Sequence, residues 1–579
     1  MVKPSNTELV QYFAPKNRYA KKLTKSIVPI GIDTEAYTTG QMFIICTSIG
    51  DVWTPDDWPG CLFDARHREK TYVAYNLKYD SGALIQHLSR QALDALRITG
   101  RCTENGYGYR VIANKMLSIR KGHHYCNIFD MLNFYKMSLE AASQTYLGEG
   151  KIEQETKSYT KAYVKAHWAE IVAYCAKDAV LVARLAQRLI KQLESWGLHV
   201  NKLYSTASVS YQWFASKCGH PSVGYFWDKH RQVLDMAMSA YSGGKFEVVH
   251  KGAGMLYEYD ISSAYPYSIA KLLDLSNARV VYGKQYRKGA NYGFIDCSLS
   301  IPANVHSPVA VKHGMLNTYP VGQFRKVITK IEYDYLLAHG ADATIHHAVW
   351  VYVDDKHYPY KAEIQRLYQL KQQLKAKHDG MGSHTVKILL NSLYGKFVQL
   401  IAKTDYWQAG ASWNPIYGAY ITAETRVRLC ELQDTYPSIW AVHTDSVISS
   451  QPLPIAVGNK IGDWNFEIEG YGAVVACGVY QIGDKTALRG VPSPEPLLSL
   501  AEHGKYTLKL ARLRVNTWRQ TLANGWDIDR INRFENATKE LRPNSDRKRL
   551  WMDDYVQWAE LTKRHVLSAP YYYLNGKPA

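Results

Sequence analysis

Y-D-I-S-S-A-Y-P, running from Tyr259 to Pro266, closes an alternating stretch of Met255, Leu256, Tyr257, Glu258 and Tyr259. That alternation predicts a β-strand stopped by Ser263 to Pro266, with Asp260 at its end. Further along, H-T-D-S from His443 lies between two apolar stretches, Ile439 to Val442 and Val447 to Ile448. It reads as a tight hairpin with Asp445 at the tip, so two strand ends can bring two aspartates to one point. Between them lies K-I-L-L-N-S-L-Y-G-K-F, from Lys387 to Phe397. On a helix, at about 100° per residue, Lys387, Asn391, Tyr394 and Gly395 share one face. A cation, an amide, an aromatic plane and a gap then point at one ligand.

Two aspartates at one point suit a pair of divalent ions. Mg²⁺ takes hard oxygen ligands, and metals roughly 3.5–4 Å apart need carboxylates that can bridge them. Asp260 and Asp445 are the candidate ligands. The chemistry such a site performs is phosphoryl transfer: one metal activates an attacking hydroxyl while the other neutralises the phosphates of the leaving group. Lys387 suits a phosphate, Tyr394 can pack on a base, and Gly395 allows close approach to the helix.

These motifs, in this order, resemble those of the family B DNA polymerases, and the compact length is most similar to the protein-primed type of phages and linear plasmids. The family's D-x-x-S-L-Y-P is present as Asp260, Ser263, Ala264, Tyr265 and Pro266, with alanine for leucine, and its K-x-x-x-N-S-x-Y-G is intact. The resemblance implies that the Ile261 backbone carbonyl joins Asp260 and Asp445 at the metals. Tyr265 becomes the residue that stacks under the sugar and excludes a 2′-hydroxyl. Ser263, Lys371, Lys375, Lys387, Asn391 and Tyr394 become dNTP contacts, with Lys375 better spaced than Lys371. Tyr241, Gly243 and Gly244 resemble a Y-x-G-G linker that handles DNA, and Thr422 with Arg426 resembles a motif that grips the primer, although Thr425 stands where a small residue is expected. Two departures matter. His443 replaces the first aspartate of the usual D-T-D, which is expected to weaken metal binding without abolishing catalysis. Gly478 replaces the lysine of K-x-Y, leaving Tyr480 as the DNA contact and Lys485 or Arg489 to supply the charge.

The family also implies a 3′→5′ exonuclease in the N-terminal third. The run Ile27 to Ile32 reads as a buried strand ending in Asp33-Thr34-Glu35, where i, i+2 spacing puts both carboxylates on one face. Tyr174 and Asp178 lie in a helical stretch, where i, i+4 aligns hydroxyl with carboxylate. By resemblance, Asp33, Glu35, Asp80 and Asp178 hold a second metal pair and Tyr174 orients the attacking water. Asn76, Tyr79, Ser138 and Leu139 hold the frayed single-stranded end. Asp130 reads instead as a helix cap.

The expected fold is α+β and multidomain: an RNase H-like exonuclease domain followed by a right-hand polymerase of palm, fingers and thumb. Residues 1–200 form the exonuclease and 201–255 a connecting region. Residues 256–360 form the first palm portion with room for an insertion, 361–397 the fingers, 398–478 the second palm portion and 479–579 the thumb. Little chain separates Phe397 from Thr422, too little for a full second insertion.

Composition agrees with a chain that handles nucleic acid. A net charge of +18 over 579 residues favours a polyanionic partner. Basic residues gather at Lys16, Arg18, Lys21, Lys22 and Lys25 and again from Lys505 to Arg549, and 44 tyrosines are interleaved with the cations. Nine cysteines without a C-x-x-C pair argue against a zinc ribbon or a disulfide framework. There is no apolar run of about 18 residues and no signal-like N-terminus. The expected protein is therefore a monomer that works in the cytoplasm, the host's if viral, away from membranes. Its expected cofactor is Mg²⁺ at both sites, with Mn²⁺ a substitute. Its expected partners are primer–template DNA and dNTPs, with a terminal protein, RNA or DNA primer all left open. Rival readings are a DNA-binding replication factor and an exonuclease with a silenced polymerase site.

Overall fold

The computed structural model describes residues 12–13, 25–154, 159–219, 223–402, 406–490, 495–503, 507–542, 545–553, 560 and 563–578. Lys16, Arg18, Lys21, Lys22 and Lys505 lie outside these. Among the described residues, no helix is long and apolar enough to cross a membrane.

The N-terminal part is built on an eight-stranded sheet in which Ile30–Ala36 lies between Met42–Thr47 and the parallel strand Thr71–Ala74. A long helix, Trp168–Ser195, packs on it through Ile171, Cys175, Val182, Leu185, Leu189 and Leu193. This is the spacing of an amphipathic stripe. Gly31 makes the contact close: a Cβ there would stand 1.8 Å from the Ala179 carbonyl oxygen. Only glycine lets helix and strand approach so near.

The second unit is a nine-stranded sheet centred on His250–Ile261. One neighbour is the hairpin strand Ser446–Ser449, the other Trp464–Ala476, both antiparallel. The expected hairpin is present, with Ile439–His443 paired to Ser446–Ser449 and only Thr444 and Asp445 in the turn. Thr444 has φ 66° there. The long helix Pro415–Thr435 packs nearby against helix Ala264–Ala270.

Residues 279–352 form most of a separate six-stranded sheet, completed by Tyr572–Leu574 and Lys577–Pro578. Between Phe397 and Thr422 the chain makes only the short hairpin Leu400–Ala402 and Trp407–Ala409 before entering the long helix, and Tyr12–Phe13 pairs with its second strand. The segment 361–397, expected as the fingers, is helical in three pieces: Lys361–Ala376, Gly380–Ser392 and Tyr394–Phe397. The first break is set by Asp379, whose side chain caps the second helix by accepting from Gly382 N.

Residues 479–579, expected as one thumb, do not form one body. Val479–Ile482 and Lys485–Leu488 extend the central sheet. Val566–Ala569 pairs back onto His250 and Lys251. Among the described residues of this segment, the ribbon Leu508–Val515 and Phe534–Leu541, with its adjoining helices, stands apart from these sheets. Strand pairing draws the chain end home because unpaired backbone groups at a sheet edge are costly to bury.

Candidate functional site

Two acidic centres lie in the molecule. In the first, Asp33 and Glu35 project from the strand Ile30–Ala36, Asp80 from helix Leu77–Ile85 and Asp178 from the long helix. Burial first, then the nearby Asp80, Glu35 and Asp178 carboxylates, push the Asp33 carboxyl well above the usual range. Asp80 is likewise raised by burial, although Thr34 Oγ1 donates to its Oδ1 at 2.8 Å. Lys151 was not foreseen. Its ammonium contacts Asp178 and stands 4.7 Å from the centre of the Tyr174 ring. Nothing in its local sequence marks it, because a lysine three residues after a helix-ending glycine is ordinary loop composition.

The expected strand-binding residues divide. Asn76 is exposed at the start of its helix with φ 66°, and its N–H donates to Asp130 Oδ1. The same carboxylate accepts from Leu132 N. Tyr79 faces the C-terminal ribbon: its ring lies 6.1 Å from that of Phe534, and its carbonyl accepts from Asn532 Nδ2. A cleft of about 280 Å³ between them is lined by Asn76, Lys78, Tyr79, Arg512 and Arg514. Leu139, in contrast, is buried in the main core and cannot meet a bound strand, and Ser138 caps its helix through Ala141 N. The pair was placed by motif, which carries no information about which way the helix faces.

In the second centre, Asp260 sits next to the end of its strand and pairs in register with Ser446, beside the hairpin tip. Ile261 N donates to the Asp445 carbonyl oxygen at 2.9 Å, which locks the two strand ends together. The Asp260 carboxyl is pushed up to about 6, by burial first, then by Glu467 and Asp445. Burial, then Glu258, also raises Asp445. Asp260 Oδ1 is buried without a hydrogen-bond partner. Mutually repelling carboxylates with an unsatisfied buried oxygen fit a divalent cation, which would relieve both penalties. As placed, no three His, Cys, Asp or Glu side chains among the described residues converge at metal-ligand distance. Glu258 and Glu467 were missed, though the strand period of two offered a signal: Glu258 lies two residues before Asp260, as Asp33 does before Glu35.

Facing the acids is a basic helix pair. Lys387, Asn391 and Gly395 are exposed and Tyr394 is half-buried on the expected face. Burial lowers the Lys371 ammonium, as do Lys375 and Lys387, and Asp260 opposes them. Lys371 is half-buried, and Lys375, the one favoured by spacing, is exposed. Beneath them the Tyr265 and Tyr394 rings lie 4.7 Å apart, and Tyr241 Oη meets Tyr394 Oη at 2.5 Å. Ser263 starts the helix bearing Tyr265 with φ 54°. Gly244 separates this floor from the hairpin: a Cβ there would stand 2.8 Å from Thr444 Cγ2 and 2.9 Å from Tyr265 Oη. Gly243 has open space around it.

Thr422 and Arg426, expected to touch the primer, are fully buried. Thr422 bonds its own helix. The Arg426 guanidinium pairs with Glu332 Oε1 at 2.6 Å and donates to the carbonyls of Pro308, Ser242 and Gly243. It therefore fixes the glycine segment from behind. Sequence spacing could not reveal this, because an arginine with five donors serves a buried carbonyl cluster as well as a phosphate. His443, the departure from D-T-D, closes its strand and packs against two aromatic rings. Its ring lies 4.7 Å from Phe246 and is stacked 5.0 Å from Tyr480. Burial, then Lys485 and Lys548, lowers it to about 4, so it is neutral near pH 7.

Comparison with known proteins places this geometry. The family described as DNA polymerase type B, organellar and viral, matches residues 124–411. The chain is 27% identical over 266 residues to a DNA polymerase of Acidianus bottle-shaped virus, covering 42% of this chain and 38% of that protein. The chain is thus similar to the family B DNA polymerases. A probable DNA polymerase of Ascobolus immersus is 21% identical over 432 residues, 64% of this chain and 35% of that one. The chain thus spans less than two-fifths of the length of these relatives. Phi29 DNA polymerase in complex with primer–template DNA and incoming nucleotide has the same multidomain fold, with TM-score 0.62, 13% identity, and coverage of 90% of this chain and 100% of that one. The phi29 enzyme with single-stranded DNA gives TM-score 0.55 at 15% identity, covering 80% of this chain and 89% of that one.

Proposed function

We propose that the chain is a DNA-directed DNA polymerase with a 3′→5′ exonuclease, extending a primer from dNTPs. The observation that carries this reading is the second centre: Asp260 and Asp445, tied by the Ile261 N–H at 2.9 Å, with Lys371 close enough to feel Asp260. Acids on one wall and ammonium groups on the other are what a nucleoside triphosphate needs. Asp260, Asp445 and the Ile261 carbonyl would hold Mg²⁺, with Mn²⁺ a substitute. Bound there, the metal would supply Lewis-acid activation of the primer hydroxyl and neutralise phosphate charge. Lys371, Lys387 and Asn391 take the phosphates, with Lys375 at the outer edge. Tyr265, Tyr394 and Tyr241 form the floor under sugar and base, positioned by Ser263 and Gly244.

The first centre is assigned to editing. Asp33, Glu35, Asp80 and Asp178 would hold the metals of hydrolysis, Tyr174 and Lys151 orient the water, and Asn76 and Tyr79 hold the strand. In domain terms, residues up to about 200 are the exonuclease, the central sheet is the palm, the lysine-bearing helices from 361 to 397 are the fingers, and the ribbon from 508 to 541 is the thumb. The chain acts as a monomer on primer–template DNA, with a terminal protein among the primers it could use. A silenced polymerase site rested on His443, but that ring packs between Phe246 and Tyr480 and leaves Asp260 and Asp445 in place.

Primer extension with Mg²⁺ and dNTPs on a primed single-stranded template tests the reading, run beside an Asp33→Ala/Glu35→Ala variant. Extension by both, with primer loss only by the parent when dNTPs are withheld, supports it. Degradation without extension by the parent overturns it in favour of a nuclease.

A further inference from the structure

Beside the aromatic column of Phe246, His443 and Tyr480 opens a cleft of about 410 Å³, lined by Phe246, Leu316, Gly478, Arg489, Arg547 and Lys548. It lies where the lysine of a K-x-Y motif is missing. The backbone explains the loss. Gly478 has φ +71°, in which side-chain-bearing residues are strained; space is not the obstacle, since a Cβ there would make ordinary contacts with Arg489 Cγ at 3.6 Å and Phe246 Cζ at 3.7 Å.

Of the nearby cations, one is in an ion pair and one is held by a carbonyl. Lys485 is bound to Glu258 at 2.5 Å, and Arg489 Nε donates to the Cys477 carbonyl at 3.1 Å. The Lys548 ammonium lies 5.0 Å from the centre of the Phe246 ring and donates to the Phe246 carbonyl at 2.6 Å. It makes no ion pair among the described residues. Its backbone is held on both sides. Asp546, buried, accepts from Cys477 N and from Lys548 N, each at 3.0 Å, and Arg549, also buried, pairs with Glu247 at 3.1 Å. A lysine far along the chain is thereby fixed against the strand that carries Tyr480.

Building on the polymerase reading, we infer that this cleft is a phosphate subsite for the primer strand and that Lys548 supplies its cation in place of the lysine absent at Gly478. The occupant is a backbone phosphodiester: the ammonium reaches it beside Tyr480 while Arg547, exposed at the rim, adds long-range attraction. Lys548 is a binding residue for DNA with no part in the chemical step.

The test is equilibrium binding of the full chain, without dNTPs, to a primer–template duplex protected by phosphorothioate linkages at its 3′ end, across a salt series. Lys548→Met keeps the aliphatic stem against Phe246 and Lys548→Arg keeps the charge. Loss of one phosphate contact is expected to weaken binding about tenfold for Lys548→Met and to lower the slope of log K against log salt by about 0.9. Lys548→Arg should restore both, and KM for dNTP should be unchanged in each variant. Unchanged affinity in Lys548→Met, or weakened affinity with an unchanged salt slope, overturns the assignment. Binding requires no catalysis, so a parent that binds the duplex but does not extend it would remove the polymerase reading, while the salt slopes would still decide whether Lys548 contacts a DNA phosphate.

Discussion

The two acidic centres reach similar composition by different construction. The N-terminal one draws its carboxylates from a strand and two helices, and a cation of its own chain, Lys151, sits against Asp178. The central one draws Asp260, Asp445 and Glu467 from one antiparallel sheet, where Lys485 neutralises the neighbouring Glu258, while Lys371 and Lys387 stand on the separate helices Lys361–Ala376 and Gly380–Ser392. Where the cation touches the acid, charge is satisfied internally and only a small nucleophile such as water need enter. Where acids and cations are held apart on separate elements, a polyphosphate can bridge them. The difference in charge geometry, more than the acids themselves, separates a hydrolytic assignment from a synthetic one.

The strongest way to break that contrast is to remove each set of acids in turn. Asp260→Asn or Asp445→Asn is expected to reduce primer extension by a factor on the order of 10³ or more while primer degradation persists, and Asp33→Ala/Glu35→Ala to do the reverse. Gel assays of both activities on one labelled primer decide it. Joint loss from either variant would mean one shared site.

Arg426 offers the next largest effect. Arg426→Met leaves Glu332 buried and uncompensated, a loss of about 3–5 kcal/mol for a broken buried pair. A lowered thermal midpoint together with a raised KM for dNTP is the expected result, since the Ser242 and Gly243 carbonyls lose their anchor. If Arg426 gripped DNA instead, KM for dNTP and stability would stay while DNA affinity fell.

Gly244→Ala is smaller. The Cβ must displace Thr444 or Tyr265, so a roughly tenfold fall in kcat/KM for dNTP is expected, about 1.4 kcal/mol, with degradation unaffected. Steady-state kinetics of single-nucleotide incorporation measure it.

The smallest effect is on stability. Burial and neighbouring acids raise Asp260 to about 6, so ionising it opposes folding: its favourable contribution is complete below about pH 4 and lost as pH rises through about 6. In metal-free buffer Asp260→Asn should therefore raise the thermal midpoint at pH 7, and the gain should vanish toward pH 4. The central site should also take up Mg²⁺ more readily as pH rises through the same interval.

Much of this was legible in the chain because strand and helix periods are local. Alternation before Asp260 and apolar runs around Asp445 marked two strand ends, and helical spacing put Lys387, Asn391 and Tyr394 on one face. Arg426, Leu139 and the segment 479–579 were misplaced for a common reason: a motif fixes residue type and order but is silent about what packs behind it. Arginine facing carbonyls and arginine facing phosphate have the same spelling.

By itself, then, the sequence determined the order of the acidic and basic motifs, the strand–turn geometry at Asp260 and Asp445, and the resemblance to family B DNA polymerases. Tertiary structure alone decided that Lys151 meets Asp178, that Glu258 and Glu467 crowd the central acids, that Arg426 lies beneath the glycine segment, and that Lys548 stands beside Gly478. These are contacts between residues far apart in the chain, set by strand register and by the need to satisfy buried charge, and no local period encodes them.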